Sequence, residues 1–292
     1  MMGGTRRIQK AARIILGLER AGRNATVFPD DVFLVSYPRS GNTWLRFLVG
    51  NLIHPETPVT FANIEAIVPS IYVNRDVRLR ALPRPRVLKS HEAFFGKYRK
   101  VIYILRDPRD IAVSYYHYQI KYRQLPPDFA LEGFVPLFIE DNFEGLYGPW
   151  ADHVMSWLAM RDTRDAFLLL RYEDLMENPE RELPKVAVLL GIPAAPERVR
   201  QAIERSSANR MSSLEKEQSR QWVSTKKSRQ DIPFVRAAGS GQYKSALSAE
   251  SVRLIEAAWG TVMLSLGYEL AAGSSPKELS HQAGPLSGNR LS

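Results

Sequence analysis

The run Pro38-Arg-Ser-Gly-Asn-Thr43 gathers one arginine, two hydroxyls, a glycine and an amide into a single tight turn. The apolar run VFLV (32–35) lies before it, and apolar residues at helical spacing lie after it. A strand therefore ends, a turn follows, and a helix begins. A helix N-terminus offers unpaired backbone N–H groups and partial positive charge. Gly41 lets the backbone approach a ligand closely. Ser40 and Thr43 supply hydroxyl donors, and Arg39 can bind two oxygens of one anion at once. The expected ligand is an oxyanion. The phosphate loop of NTPases carries a second glycine and a Lys-Ser/Thr pair. Here a single glycine is followed by Asn42-Thr43-Trp44, and no lysine stands nearby. The spacing gives little support to a Mg-ATP site.

Three further stretches put polar side chains where strands should end: Lys89-Ser90-His91, Arg106-Asp107 and Tyr172-Glu173-Asp174. Ligands of open α/β sheets bind outside the carboxyl ends of the strands, so four such ends imply one shared crevice. A neutral imidazole near pH 7 can take the proton of an attacking hydroxyl or amine, which makes His91 a candidate base. Strand alternation sends Lys89 and His91 off one face and Glu92 off the other. Ser114 follows Arg106 by about two helical turns, so both reach one anion if the chain reverses at Asp107-Pro108. Taken alone, Arg106-Asp107 reads more simply as an ion pair that fixes a loop.

The elements that must position these groups are legible in outline. Strands are expected at VFLVSY (32–37), RVLKSH (86–91), KVIYILRD (100–107) and AFLLLRYE (166–173). Helices are expected over 42–53, 108–122, 151–160, 179–190 and 248–266, with Pro108 in a first turn and Gly191 and Gly267 as stops. Strands alternating with helices predict a single α/β domain with a central, mostly parallel sheet flanked by helices and a P-loop-like anion-binding turn. Residues 1–25 read as an N-terminal amphipathic helix, with Ile8, Ala11, Ala12, Ile15 and Leu18 on one face, packing on the core or on a membrane surface. The core domain then runs over 26–270. Residues 271–292, rich in Gly, Ser and Pro, read as a disordered tail.

The 292 residues are 45% hydrophobic and 24% charged, ordinary for a soluble globular chain. Cysteine is absent, which fits a reducing compartment. No apolar run approaches a membrane span, and Arg13 breaks the N-terminal apolar stretch, so no signal peptide is expected. The net charge is +9, and residues 205–244 hold nine Lys/Arg against three Asp/Glu. Such an excess is either a solvated face or a grip on an acidic ligand; a nucleic-acid partner would rest on net charge alone. No cluster has metal-ligand spacing.

Five segments, in order along the chain, resemble one family: YPRSGNTWL (37–45), LKSHEAF (88–94), LRDPRDIAVSYYHY (105–118), RYEDL (171–175) and FVRAAGSGQYKSAL (234–247). They are similar to the signatures of the sulfotransferases that use 3′-phosphoadenosine-5′-phosphosulfate (PAPS). The first and third are the specific ones. The resemblance implies that Arg39, Ser40, Gly41, Asn42 and Thr43 surround the 5′-phosphosulfate and that Trp44 and Tyr172 lie near the adenine. It implies that Arg106 and Ser114 hold the 3′-phosphate, that Arg236 closes the last loop, and that His91 is catalytic, with Lys89 against the sulfuryl oxygens and Arg39 at the leaving phosphate. Ser212 or Ser213 aligns loosely with a further nucleotide contact. The sequence departs from the pattern at Arg39, where lysine is common, and at Asn42, where threonine is. It departs again at Ala237-Ala238 in place of Lys-Gly and at Gln242-Tyr243 in place of Asp-Trp.

What the resemblance implies is in-line sulfuryl transfer from PAPS to a hydroxyl, or to an amine, leaving 3′-phosphoadenosine-5′-phosphate (PAP), with no metal. The basic stretch 205–244 becomes a lid over a charged nucleotide. The acceptor is a small molecule shaped by residues 54–85, 121–150 and 218–235. The aromatics Phe61, Tyr72, Phe94, Phe95, Phe129, Phe134, Phe138 and Phe143 point to an apolar, aromatic or glycosidic one. The expected setting is cytoplasmic, with membrane-surface contact open to the N-terminal helix and no nucleic-acid partner. Two rivals remain: a kinase on a related P-loop fold, and a nucleotide-binding relative without turnover.

Overall fold

The structure, a computed structural model, describes residues 21–141, 147–236 and 239–271. Of the N-terminal helix expected over 1–25, residues 1–20 lie outside the described residues, as do Phe143, the Ala237-Ala238 pair and the tail beyond 271, and residues 22–24 form a short 3-10 turn.

Four strands form one sheet: β1 (Val32–Val35), β2 (Val87–Ser90), β3 (Lys100–Leu105) and β4 (Ala166–Arg171). Their order is β2-β1-β3-β4, and every neighbouring pair is parallel. The register sets Val35 beside both Ser90 and Tyr103, so β1, β2 and β3 finish close together. All four residues of β1 are buried. Phe33 and Val35 join one apolar cluster, while Val32 and Leu34 join another. A strand covered on both faces needs an unbroken apolar run rather than alternation, and VFLV is such a run.

Helix α1 (Asn42–Ile53) follows β1, and α2 (Pro108–Lys121) follows β3. Further along come α3 (Leu131–Ile139), α4 (Trp150–Leu158), α5 (Tyr172–Glu177), α6 (Pro179–Leu190), α7 (Pro196–Arg205), α8 (Ala208–Gln218) and α9 (Ala249–Ser265). One sheet face is covered by Leu45, Leu48 and Leu52 of α1, Leu183 and Val186 of α6, and Val199 and Ala202 of α7. The other is covered by Ile111 and Val113 of α2, Phe134 and Phe138 of α3, Trp150, Val154 and Trp157 of α4, and Ile255 and Trp259 of α9.

From β1 the chain moves to β2 on one side, then crosses to β3 on the other. The switch point lies at the carboxyl ends of β1 and β3, where ligands of such sheets bind.

The strands fall where the sequence places them but stop earlier. Expected ends at residues 37, 91, 107 and 173 become Val35, Ser90, Leu105 and Arg171. The polar residues beyond them belong to turns and caps. Asp107 caps α2 by accepting the Arg109 N–H, and Tyr172 opens α5. Helices α3, α7 and α8 escaped the sequence pattern. Gly133 and Pro136 disguise α3, and α7 (PERVRQAIER) and α8 (ANRMSSLEKEQ) carry few apolar residues.

Candidate active site

A cavity of about 550 Å³ opens at the β1/β3 switch point. Arg39, Gly41, Asn42, Thr43, Trp44, Lys89, His91, Arg106, Ser114, Tyr172 and Arg236 all line it. Ser40, the remaining expected residue, is buried. The segments expected to shape an acceptor site also reach it, through Tyr72 and Val73, Tyr122 and Tyr147, and Trp222 to Ser224 with Phe234 and Val235.

The turn owes its shape to two left-handed residues, Arg39 at φ 69° and Gly41 at φ 94°. Successive backbone N–H groups in such a turn form a concave anion cradle. Arginine resists this conformation, and here Arg106 Nη1 donates to the Arg39 carbonyl at 3.2 Å. Gly41 is required twice over. Besides its φ, a Cβ there would sit 2.5 and 2.7 Å from Cδ2 and Cε2 of the Tyr172 ring.

Positive charge is concentrated here. Burial lowers the pKa of Arg39, and Arg106 adds to the effect. Burial also lowers that of Arg236, with Arg39 and then Arg106 contributing. The Arg106 guanidinium lies 4.2 Å over the Tyr172 ring, and its Nη2 donates to the Gly239 carbonyl at 3.1 Å. Asp110 lies 3.8 Å from Arg106, and its oxygens accept from the Gly241 and Tyr243 N–H groups at 2.7 and 2.9 Å. Arg39 Nε donates to Ser114 Oγ at 3.3 Å, so the turn and α2 meet through their side chains. Among the described residues, Arg106 Nε and Ser40 Oγ are buried with no hydrogen-bond partner. Two buried donors left open beside three guanidinium groups are what an oxyanion would satisfy. Asn42 Oδ1, an acceptor, is open as well, and an anion would not satisfy it.

His91 lies one residue beyond β2. Its Nδ1 is 2.8 Å from the Ser36 carbonyl, which can only accept, so Nδ1 carries the hydrogen and Nε2 keeps its lone pair. Burial holds the His91 pKa well below the usual 6.5, and the Lys89 charge lowers it further. Its backbone is held too. The His91 N–H donates to Tyr72 Oη at 2.7 Å, and His153 Nε2 donates to the His91 carbonyl at 3.0 Å. Ser156 Oγ accepts from the Phe94 N–H, and Trp157 Nε1 donates to the Glu92 carbonyl. One face of α4 thus clamps residues 91–94. The Tyr72 ring stacks on His91 at 6.0 Å, and Lys89 Nζ lies 5.0 Å over the same ring. Glu92 turns away as alternation predicts: it pairs with Arg23 at 2.7 Å and accepts from Tyr72 Oη at 3.3 Å.

Asn42 faces back toward the sheet. Its Nδ2 donates to the Leu34 carbonyl at 3.1 Å and to Ser36 Oγ at 3.2 Å. At the aromatic end of the cavity Trp44 meets Tyr172 edge-on at 5.5 Å, and its Nε1 donates to the Ser206 carbonyl at 3.0 Å.

Several expectations are corrected. Ser206, Ser207 and Ala208 line the cavity, not Ser212 or Ser213. Helix α8 starts at Ala208 and turns Met211 and Leu214 inward, which leaves those two serines elsewhere. Of the nine basic residues in 205–244, Arg236 lines the cavity. Arg205 instead donates to the Pro55 carbonyl, and Arg229 pairs with Asp231. Of the named aromatics, Tyr72 lines the cavity; Phe61, Phe134 and Phe138 are buried in the core, and Phe94, Phe95 and Phe129 pack against it. The sequence reading missed Ser36, His153, Tyr118, Asp110 and Glu215. Among these, Asp110 and Tyr118 sat inside a recognised motif, whereas Glu215 and His153 carried no local signal.

The described residues contain no helix long and apolar enough to cross a membrane and no group of three or more acidic or histidine side chains placed to share a metal ion. A family model described as a sulfotransferase domain matches residues 29–267. Sulfotransferase 1B1 of Mus musculus is 33% identical over 178 residues, covering 56% of this chain and 58% of that protein. Sulfotransferase 1A1 of Mus musculus is 30% identical over 205 residues, covering 65% of this chain and 69% of that one. The chain thus spans less than two thirds of the length of the first of these relatives. Among solved structures, a mouse sulfotransferase complexed with PAP is similar at TM-score 0.65 and 23% identity, over 83% of this chain and 87% of that one. A retinol dehydratase in complex with androsterone and PAP is similar at TM-score 0.70 and 19% identity, over 87% and 85%. These two likenesses establish the fold.

Proposed function

The chain belongs to the sulfotransferase domain family, and from that premise we propose that it moves a sulfuryl group from PAPS to the hydroxyl, or less readily the amine, of a small acceptor. PAPS supplies an activated sulfuryl group on a phosphate leaving group. The residues fit such a donor. The left-handed turn at Arg39–Gly41 and the N-terminus of α1 present N–H groups to the 5′ end. Arg106, Ser114 and Arg236 hold the 3′-phosphate, and Trp44 and Tyr172 flank the base. The open donors at Ser40 Oγ and Arg106 Nε support two separate anionic contacts.

His91 Nε2 takes the proton of the acceptor hydroxyl as it attacks, because Nδ1 is committed to the Ser36 carbonyl. Arg39 opposes the charge that develops on the leaving phosphate, and Lys89 steadies the sulfuryl oxygens. The rings of Tyr72 and Tyr147 lie 6.0 and 5.8 Å from that of His91 and line the cavity with Val73, which favours an apolar or ring-bearing acceptor. The solved relative's androsterone is of that kind in that protein. We place the protein in the cytoplasm, with the basic N-terminal segment available to a membrane surface.

The observation that carries this reading is the convergence of Arg39, Arg106 and His91 on one cavity. A kinase would want a lysine on the turn, and this turn has none. The test is transfer from sulfur-labelled PAPS to a panel of phenols, steroids, lipids and sugars. Labelled product and released PAP support the proposal; a panel without product, together with no PAP binding, overturns it.

A further inference from the structure

Phe234 belongs to a segment that folds over the cavity from α8. Its N–H donates to Glu215 Oε1 at 2.5 Å, and the Val235 N–H donates to Oε2 at 2.7 Å. Lys121 Nζ, from the end of α2, donates to the carbonyls of Arg229 and Ile232 at 2.9 and 2.5 Å. The segment is therefore pinned at two points by buried charges. Pinned in this way, the Phe234 ring centroid lies 4.8 Å from the Arg39 guanidinium carbon, and the Tyr118 centroid also lies 4.8 Å from it. Phe234 sits on the covering segment, whereas Tyr118 sits on α2 within the sheet framework.

A guanidinium flanked by two rings can donate only in its own plane, since its five N–H bonds are coplanar. Nε is already directed at Ser114 Oγ at 3.3 Å, so this bond and the two ring contacts together constrain the plane in which the Nη groups point. An ammonium has no such dependence, because its three donors rotate about a flexible stem.

We propose that Phe234 is a positioning residue for Arg39, so that docking of the 219–236 segment and assembly of the leaving-group anion site are a single event. The inference rests on the sulfotransfer reading for its consequence in turnover, though not for the stack itself. The ring acts through Arg39, whose guanidinium carbon it approaches to 4.8 Å.

A double-mutant cycle tests it. Phe234→Leu should lower kcat about ten-fold in the Arg39 protein, a typical magnitude for losing a desolvated cation–π contact. PAP affinity should change less than about three-fold in the same comparison. In an Arg39→Lys background the same substitution should cost less than about two-fold, and Phe234→Tyr should retain most activity. Equal losses in both backgrounds would show that Phe234 is packing and nothing more, and would overturn the proposal. A second measurement does not depend on turnover. With arginine labelled at Nε, the Arg39 Nε–H resonance should be shifted by ring currents and should move on Phe234→Leu and on Tyr118→Leu. A resonance unmoved by both overturns the stack even if the enzyme proves active. A moved resonance in a protein that transfers no sulfuryl group supports the stack and sinks the functional reading instead.

Discussion

Gly41→Ala is the sharpest single perturbation of the anion turn. The added methyl would meet the Tyr172 ring at 2.5 and 2.7 Å, well inside van der Waals contact. The ring has little room to yield, because Trp44 abuts it edge-on at 5.5 Å and the Arg106 guanidinium covers it at 4.2 Å. Forcing a methyl into such a site costs about 1–3 kcal/mol. Holding a non-glycine residue at φ 94° adds roughly 1–2 kcal/mol. The sum, about 3 kcal/mol, corresponds to a Tm lower by roughly 6 °C in a domain of this size. Scanning calorimetry measures that, and titration with PAP should show affinity falling at least about ten-fold, since the cradle and Arg106 shift together. In a Tyr172→Leu background the cost of Gly41→Ala should fall to about half, because the backbone strain alone remains. A Gly41→Ala protein with Tm within about 2 °C of the parent and undiminished PAP affinity would refute the reasoning.

Three other outcomes are expected. His91→Asn should lower kcat by about 10²–10⁴ while leaving PAP affinity nearly unchanged, and in the parent the acid limb of kcat/KM should fall below pH 6.5, because burial and Lys89 depress the imidazole; a limb above 6.5 contradicts this. His153, fully enclosed, has its pKa pushed down to about 4 by burial. The unfolded chain therefore binds its proton from about pH 6.5 downward while the folded chain does not, and up to about 3 kcal/mol of stability should be lost between pH 6.5 and 4. Urea titrations should show His153→Gln with a flatter dependence over that window; an unchanged slope counts against it. Lys121→Met leaves the Arg229 and Ile232 carbonyls without their donor, so hydrogen exchange across 224–236 should quicken and the KM for PAPS should rise about ten-fold; unaltered exchange would place the pin elsewhere.

The sheet was legible because its strands are short apolar runs, and doubly covered strands leave that trace. The turn at Arg39–Thr43 was legible because strand, glycine and helix follow one another within a dozen residues. Helices α7 and α8 were not. Their stability comes from a few apolar residues such as Val199, Ala202, Met211 and Leu214 seated against distant elements, and periodicity over so few positions is weak. The same limit hid Glu215 and His153. Each acts through partners far away in sequence, Phe234 and Val235 for one and Tyr103 and His91 for the other. The sequence offered the basic stretch 205–244 as a clasp by charge, whereas the segment is held by Glu215, Lys121 and aromatic contacts. Net charge counts residues but does not aim them.

The central claim is that the cavity grips two separated phosphates of one nucleotide. Isothermal calorimetry without divalent metal, comparing PAP with adenosine 5′-phosphate, tests it most directly. PAP should bind at least about 100-fold tighter, the difference being the 3′-phosphate held by Arg106, Ser114 and Arg236. Equal affinity for the two nucleotides, or binding of Mg-ATP in preference to PAP, would contradict it.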